Sequence, residues 1–109
     1  MTRNEIAALV DSVGVPAVYH QFTKETAQPA PFICFYTEEV SSFYADGVVY
    51  ARVETLIIEL YTSEKDFALE DKLEGILTAA DMAYHKDEDY IGDEELYMTT
   101  YTTEVFLDA

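Results

Sequence analysis

Residues 42–50, SFYADGVVY, constrain the fold more than any other stretch of the chain. An Asp-Gly pair, Asp46 and Gly47, separates two runs of aromatic and β-branched residues. A tight two-residue turn needs positive φ at both central positions, and Asp-Gly is among the sequences that tolerate this. We therefore predict a β-hairpin with strands over residues 32–44 and 48–62. On this interpretation Asp46 is a turn residue and not a metal ligand or a catalytic base.

A two-residue turn also fixes which residues face each other across the hairpin. The predicted apolar pairs on one face are Ile33 with Leu60, Phe35 with Ile58, and Phe43 with Tyr50. The same register places Glu39 opposite Glu54, which is unfavourable because like charges repel. Arg52, two residues along, would reduce this repulsion, and a β-bulge near residues 39–42 is an open alternative.

The chain before the hairpin predicts a helix, a short strand and a loop. Thr2 and Glu5 form a capping box, and apolar residues follow at helical spacing, so we predict a helix over about residues 2–13. Residues 15–22 are predicted to form a short strand. Residues 23–31 contain two prolines and show no periodicity, which is typical of a loop.

The chain after the hairpin predicts one helix and two strands. Ser63 is the expected N-cap of a helix over about residues 64–82, and strands are predicted at residues 84–90 and 96–107. The predicted order is α-β-β-β-α-β-β. The whole chain, residues 1–109, is thus predicted to be one α+β domain, with a mainly antiparallel β-sheet and two helices packed on it.

The charge of the chain restricts its partners. The net charge is −16, with −5 carried by residues 1–62 and −11 by residues 63–109. Such a chain repels phosphate backbones, so direct nucleic-acid binding is not expected, whereas a basic partner would suit it. No signal peptide or membrane-spanning segment is apparent, so we expect no membrane association and an intracellular setting.

The residues show no pattern of known catalytic or metal chemistry. There is no Gly-rich phosphate loop and no G-x-S-x-G sequence around a serine. Cys34 lies in an apolar run, which is typical of a buried structural thiol. The acidic residues 87–89 and 93–95 do not have calcium-loop spacing, and an exposed edge strand explains residues 84–90 better. We therefore predict no catalytic residue, no cofactor and no metal site. A carboxylate metal enzyme is the least favoured hypothesis, and it would require stabilisation by metal ions.

The aromatic residues are the best candidates for contacts with other subunits. The chain has nine tyrosines, and tyrosine is enriched in protein interfaces. The candidate interface residues are Phe43, Tyr44, Asp46, Gly47 and Tyr50 around the hairpin, together with Tyr97 and Tyr101 on the last strand.

Four motifs in a fixed order give the chain a family resemblance. They are PFIC at residues 31–34, FYADGVVY at 43–50, ELYT at 59–62 and SEKD at 63–66, followed by an acidic helix. This combination resembles the small tail-terminator or tail-completion proteins, also described as head–tail connector or minor capsid proteins. They belong to long-tailed bacteriophages and prophages of Gram-positive bacteria. The resemblance extends over nearly the whole chain.

The resemblance implies an α+β domain that assembles into a homo-oligomeric ring, commonly of six subunits. Such a ring caps the phage tail tube and connects it to head-completion proteins. It implies a virion structural protein without enzymatic activity or cofactor, located in the virion tail and, during assembly, in the host cytoplasm. The charge suggests one alternative, an acidic DNA mimic that binds and blocks a basic DNA-binding protein.

Overall fold

A computed structural model gives the fold, and it describes residues 1–45 and 48–108, with only the backbone for residues 40–45, 48–51 and 108. The elements are α1 (Arg3–Asp11), β1 (Ala17–Tyr19), β2 (Phe32–Ala45), β3 (Val48–Thr62), α2 (Phe67–Ala79), β4 (Tyr84–Ile91) and β5 (Leu96–Asp108). The predicted α+β class and the predicted order α-β-β-β-α-β-β are confirmed.

The five strands form one sheet in the order β1-β2-β3-β5-β4. All neighbouring strands are antiparallel except β1 and β2, which are parallel. Strand β3 has 15 residues, which corresponds to about 50 Å at roughly 3.3 Å per residue. This length matches the longest dimension of the molecule, which measures 51 × 31 × 22 Å.

The hydrophobic core lies between the two helices and one face of the sheet, which we call the helix face. The core contains Ile6 and Val10 from α1 and Leu73 and Leu77 from α2, all of them buried. The sheet residues of the core are Ile33, Phe35, Leu56, Ile58, Leu60, Tyr101, Val105 and Leu107. These residues alternate along β2, β3 and β5, as expected for strands with one covered face.

Helix α1 begins as the sequence predicts. The backbone N–H of Glu5 donates to Thr2 Oγ1, the backbone N–H of Thr2 donates to Glu5 Oε1, and both distances are 3.1 Å. The predicted capping box is therefore confirmed. The helix ends before Gly14, whose φ of 92° suits glycine and stops helical geometry.

Helix α2 is shorter than the predicted range of residues 64–82, and Ser63 is not its N-cap. Asp66 is the N-cap, and its side chain accepts a hydrogen bond from the backbone N–H of Leu69 at 3.0 Å. Lys65 is directed instead into ion pairs with Glu70 and Glu88. At the other end Asp81 has a φ of 57°, a left-handed conformation that terminates the helix.

The hairpin register is confirmed in its inner part and differs in its outer part. Ile33 pairs with Leu60 and Phe35 with Ile58, as predicted. Phe43 pairs with Ala51, so the predicted pair with Tyr50 is wrong. The reason is a register shift between Glu39 and Ser41, in the region where a β-bulge was the alternative prediction. A second register shift lies between Phe43 and Tyr44. Ala45 pairs with Val48, as a two-residue loop requires, whereas the predicted turn geometry of Asp46 and Gly47 lies outside the described residues.

The predicted like-charge pair of Glu39 and Glu54 is present in the register. Glu54 is only 3% exposed, and its carboxylate accepts hydrogen bonds from Arg3 Nη2 at 3.0 and 3.4 Å. The cation that is hydrogen-bonded to Glu54 is therefore Arg3 of α1, a partner that the sequence did not identify.

Candidate functional site

The two outer strands are short, and this leaves one end of the sheet with only three strands. Strand β1 pairs with β2 only at residues 33–35, and the pairing of β4 with β5 stops at Thr103. Beyond these points β2, β3 and β5 continue together to the hairpin. We call this part, made of residues 36–45, 48–55 and 104–108, the three-strand end.

The three-strand end has two strand edges without a neighbouring strand among the described residues. One edge is β2 from residue 36, and the other is β5 from residue 104. They are the two opposite edges of the three-strand end, because β3 lies between β2 and β5 in the sheet. A strand edge of this kind presents backbone N–H and C=O groups that can pair with another strand.

The protein's own groups cap both edges where the outer strands stop. The hydroxyl of Tyr19 accepts a hydrogen bond from the backbone N–H of Thr37 at 3.3 Å, so this N–H points out of the β2 edge. On the other side, the backbone carbonyl of Phe106 accepts a hydrogen bond from the amino group of Met1 at 3.0 Å. Because each of these caps binds only one backbone group of its edge, an incoming strand could replace it with a ladder of backbone hydrogen bonds.

A cleft of about 560 Å³ adjoins the β2 edge on the helix face. Its apolar floor includes Ile6 and Phe35, and Arg3, Arg52 and Glu54 lie around it. Arg3 Nη1 also donates to Thr37 Oγ1 at 3.0 Å, which ties α1 to the same part of β2.

The opposite face of the sheet, which we call the open face, carries neither helix. Its centre is aromatic and aliphatic. The rings of Phe32 and Tyr61 stack with centroids 4.8 Å apart, His20 stacks on Tyr36 at 5.4 Å, and Ile57 lies between β2 and β5. Cys34 also lies on this face and is buried, as predicted, and burial together with nearby Glu59 raises the pKa of its thiol.

A cluster of charged residues beneath α2 joins the helix to β4 and β5. Glu70 is 2% exposed, with Lys65 Nζ at 2.7 Å and Lys86 Nζ at 2.9 Å from its carboxylate. Glu74 accepts hydrogen bonds from Lys86 Nζ and from the Tyr101 hydroxyl, both at 2.8 Å. Burial alone would raise the pKa values of both carboxyls, but the hydrogen bonds from these partners outweigh it and lower them.

This cluster was missed in the sequence. Glu70 and Glu74 lie one helical turn apart, and Lys86 faces the helix because it pairs with Tyr101. The spacing of the glutamates is visible in the sequence, but their lysine partner is a strand residue whose orientation depends on the sheet.

The predicted interface residues differ in how far their side chains are buried and in how much of each residue the structure describes. Tyr97 is half-buried and packs against Tyr90, with ring centroids 4.9 Å apart. Tyr101 is completely buried in the core, so it is not available to a neighbouring subunit and is removed from the candidates. The backbones of Phe43, Tyr44 and Tyr50 lie in β2 and β3 at the three-strand end, but their side chains are outside the described set. Asp46 and Gly47 lie outside the described residues altogether.

No protein-family model matches the chain. No curated protein matches it either.

Three further observations concern the described part of the chain. Neither of its helices is long and apolar enough to cross a membrane. Among residues 1–45 and 48–108, the His, Cys, Asp and Glu side chains form no group of three or more arranged to hold a metal ion. The acidic strand β4 lies at the edge of the sheet, and this confirms the edge strand that was predicted for residues 84–90.

Proposed function

We propose that this chain is a non-enzymatic structural protein of a bacteriophage or prophage tail, similar to tail-terminator proteins. It would act as a homo-oligomeric ring that caps the tail tube and provides a surface for head-completion proteins. It would reside in the virion tail and, before that, in the host cytoplasm. The resemblance in the sequence suggests this role, and one structural feature supports it.

That feature is the pair of strand edges on opposite sides of the three-strand end. A contact between two different surfaces of the same chain is head-to-tail, and head-to-tail contacts generate a ring when the rotation closes. Pairing the β2 edge of one subunit with the β5 edge of the next would use both edges of the three-strand end in every subunit of the ring.

The shape and charge of the chain fit a structural role. The three-strand end extends beyond β1 and β4, so a neighbouring subunit can approach it without contacting the core beneath α2. The chain carries a net charge of −16, so a ring of such subunits would not bind DNA that passes through it.

The test uses tail tubes that lack a terminator, mixed with the purified protein and imaged by electron microscopy. The proposal predicts extra ring-shaped density at one end of the tubes and light-scattering evidence of an oligomer. A protein that stays monomeric at all concentrations and leaves both tube ends bare would refute the proposal.

A further inference from the structure

The ionisable side chains on the open face are mostly carboxylates, together with His85, whose Nε2 lies 3.2 Å from Asp87 Oδ2. The register places five carboxylates on this face and no lysine or arginine at any of its strand positions whose side chain is described. The carboxylates belong to Glu38, Glu59, Asp87, Asp89 and Glu104. By contrast, four of the chain's six lysines and arginines, namely Arg3, Arg52, Lys65 and Lys86, lie on the helix face or at its margin.

On each of β2, β3 and β5, one carboxylate of this face lies two residues from an aromatic residue of the same face. Glu59 neighbours Cys34 on one side and Thr100 on the other, and Thr100 is paired with Asp87 in the next strand. Along β3, Glu59 stands beside Tyr61, whose hydroxyl donates to Glu59 Oε1 at 3.1 Å. Burial is the main reason that the pKa values of the Tyr36 and Tyr61 hydroxyls are raised, and the negative charge of Glu59 raises them further.

A flat aromatic ring beside an oriented carboxylate is a receptor for a guanidinium group. The planar guanidinium can stack on the ring while its N–H groups donate to the carboxylate. The stacked pair of Phe32 and Tyr61 with Glu59 provides this combination at the centre of the open face. A lysine ammonium would use the charge but would gain less from the ring.

We propose that the open face binds an arginine-rich segment of a partner protein. A second copy of the chain in face-to-face contact is disfavoured because it would bring five carboxylates against five more. Nucleic acid is disfavoured for the same electrostatic reason. This proposal goes beyond the ring described above and does not depend on it, because it uses residues of a single protomer.

The experiment measures the binding of a synthetic arginine-rich peptide to the full chain by fluorescence anisotropy. A peptide of the same length with lysine at every arginine position is the comparison ligand. The variants Glu59→Gln and Asp87→Asn each remove one charge from the open face. Asp71→Asn removes one charge from an exposed position of α2 and is the matched control.

The proposal predicts tighter binding of the arginine peptide than of the lysine peptide. Glu59→Gln should weaken arginine-peptide binding roughly tenfold, because it removes a charge-assisted hydrogen bond, and Asp71→Asn should weaken it less than about twofold. Asp87→Asn should give an intermediate loss, which tests the face independently if Glu59→Gln folds poorly. Amide chemical shifts should move mainly in β2, β3 and β5.

Three outcomes would overturn the proposal. Equal losses from Glu59→Gln and Asp71→Asn would show diffuse attraction to a strongly acidic chain. Absence of measurable binding at low salt would show that the open face is not a receptor. Formation of a face-to-face dimer that Glu59→Gln strengthens would identify a second copy as the occupant.

Discussion

Glu70 is a carboxylate inside the protein, and two lysines make its burial tolerable. Lys65 and Lys86 approach it from the segment before α2 and from β4, so one side chain connects three parts of the chain. A buried ion pair is weak evidence of added stability, but removing one partner is costly because the other charges lose their compensation. The lysines are partly exposed and can regain water, which reduces that cost.

We therefore expect Glu70→Gln to lower the free energy of unfolding by about 1–3 kcal/mol, as measured by urea denaturation. The neighbouring substitution Asp71→Asn, at an exposed position, should change it by less than about 0.5 kcal/mol. Equal effects of the two substitutions would mean that the cluster beneath α2 does not contribute to stability.

The same cluster predicts acid sensitivity. The pKa values of Glu70 and Glu74 are lowered from 4.5 in the folded protein, so the folded state binds protons less readily than the unfolded chain. The contribution of these groups is complete above about pH 4.5 and is lost as the pH falls toward the lowered pKa values. The stability difference between the unaltered protein and Glu70→Gln should therefore shrink as the pH falls below about 4.5. A difference that stays constant over this range would contradict the assignment.

At the scale of secondary structure, we expect the hairpin turn to depend on the backbone conformation that Asp46 and Gly47 tolerate, and not on the charge of Asp46. Asparagine tolerates positive φ about as well as aspartate, so Asp46→Asn should leave folding and assembly nearly unchanged. Thermal melting and light scattering would check both. Loss of assembly with folding retained would show that the charge of Asp46 matters.

Local signals predicted the elements whose contacts are local. The capping box of Thr2 and Glu5 and the strand at residues 96–107 needed no tertiary information, and both are confirmed. The start of α2 was misplaced because Lys65 is held by Glu70 and Glu88, contacts that depend on the packing of α2 and β4.

The candidate site was less predictable than the fold. Tyr101 was predicted to contact a neighbouring subunit. In the structure it is buried in the core, and its hydroxyl donates a hydrogen bond to Glu74, 27 residues earlier in the chain. The register of the outer hairpin depends on an irregularity between Glu39 and Ser41. In the sequence, only the expected repulsion of Glu39 and Glu54 pointed to a bulge there. The length mismatch between outer and inner strands, which creates the three-strand end, is visible only once the strand order is known.

At the scale of the whole molecule, two kinds of association should respond to salt in opposite ways. Ring formation brings together chains that each carry a net charge of −16, so screening should promote it. Binding of an arginine-rich peptide joins opposite charges, so screening should weaken it. Light scattering and anisotropy between about 50 mM and 500 mM salt would measure the two trends. Trends of the same sign would mean that one surface, and not two, mediates both associations.

The central claim is that the β2 and β5 edges of neighbouring subunits pair head-to-tail. Thr37→Pro removes an outward N–H from the β2 edge, and Glu104→Pro does the same on β5, because residues 104 and 106 point the same way in the ladder. The matched controls Thr37→Ala and Glu104→Ala lack the same side chains but keep the N–H groups. Circular dichroism melting would establish that each variant is folded.

The decisive measurement is the light-scattering mass of the two proline variants, separately and mixed. The account predicts an oligomer for the unaltered chain and for the alanine controls, monomers for each proline variant, and a one-to-one dimer for the mixture, because one intact edge remains on each partner. Folded proline variants that form the same oligomer as the unaltered chain, or a mixture that stays monomeric, would contradict it.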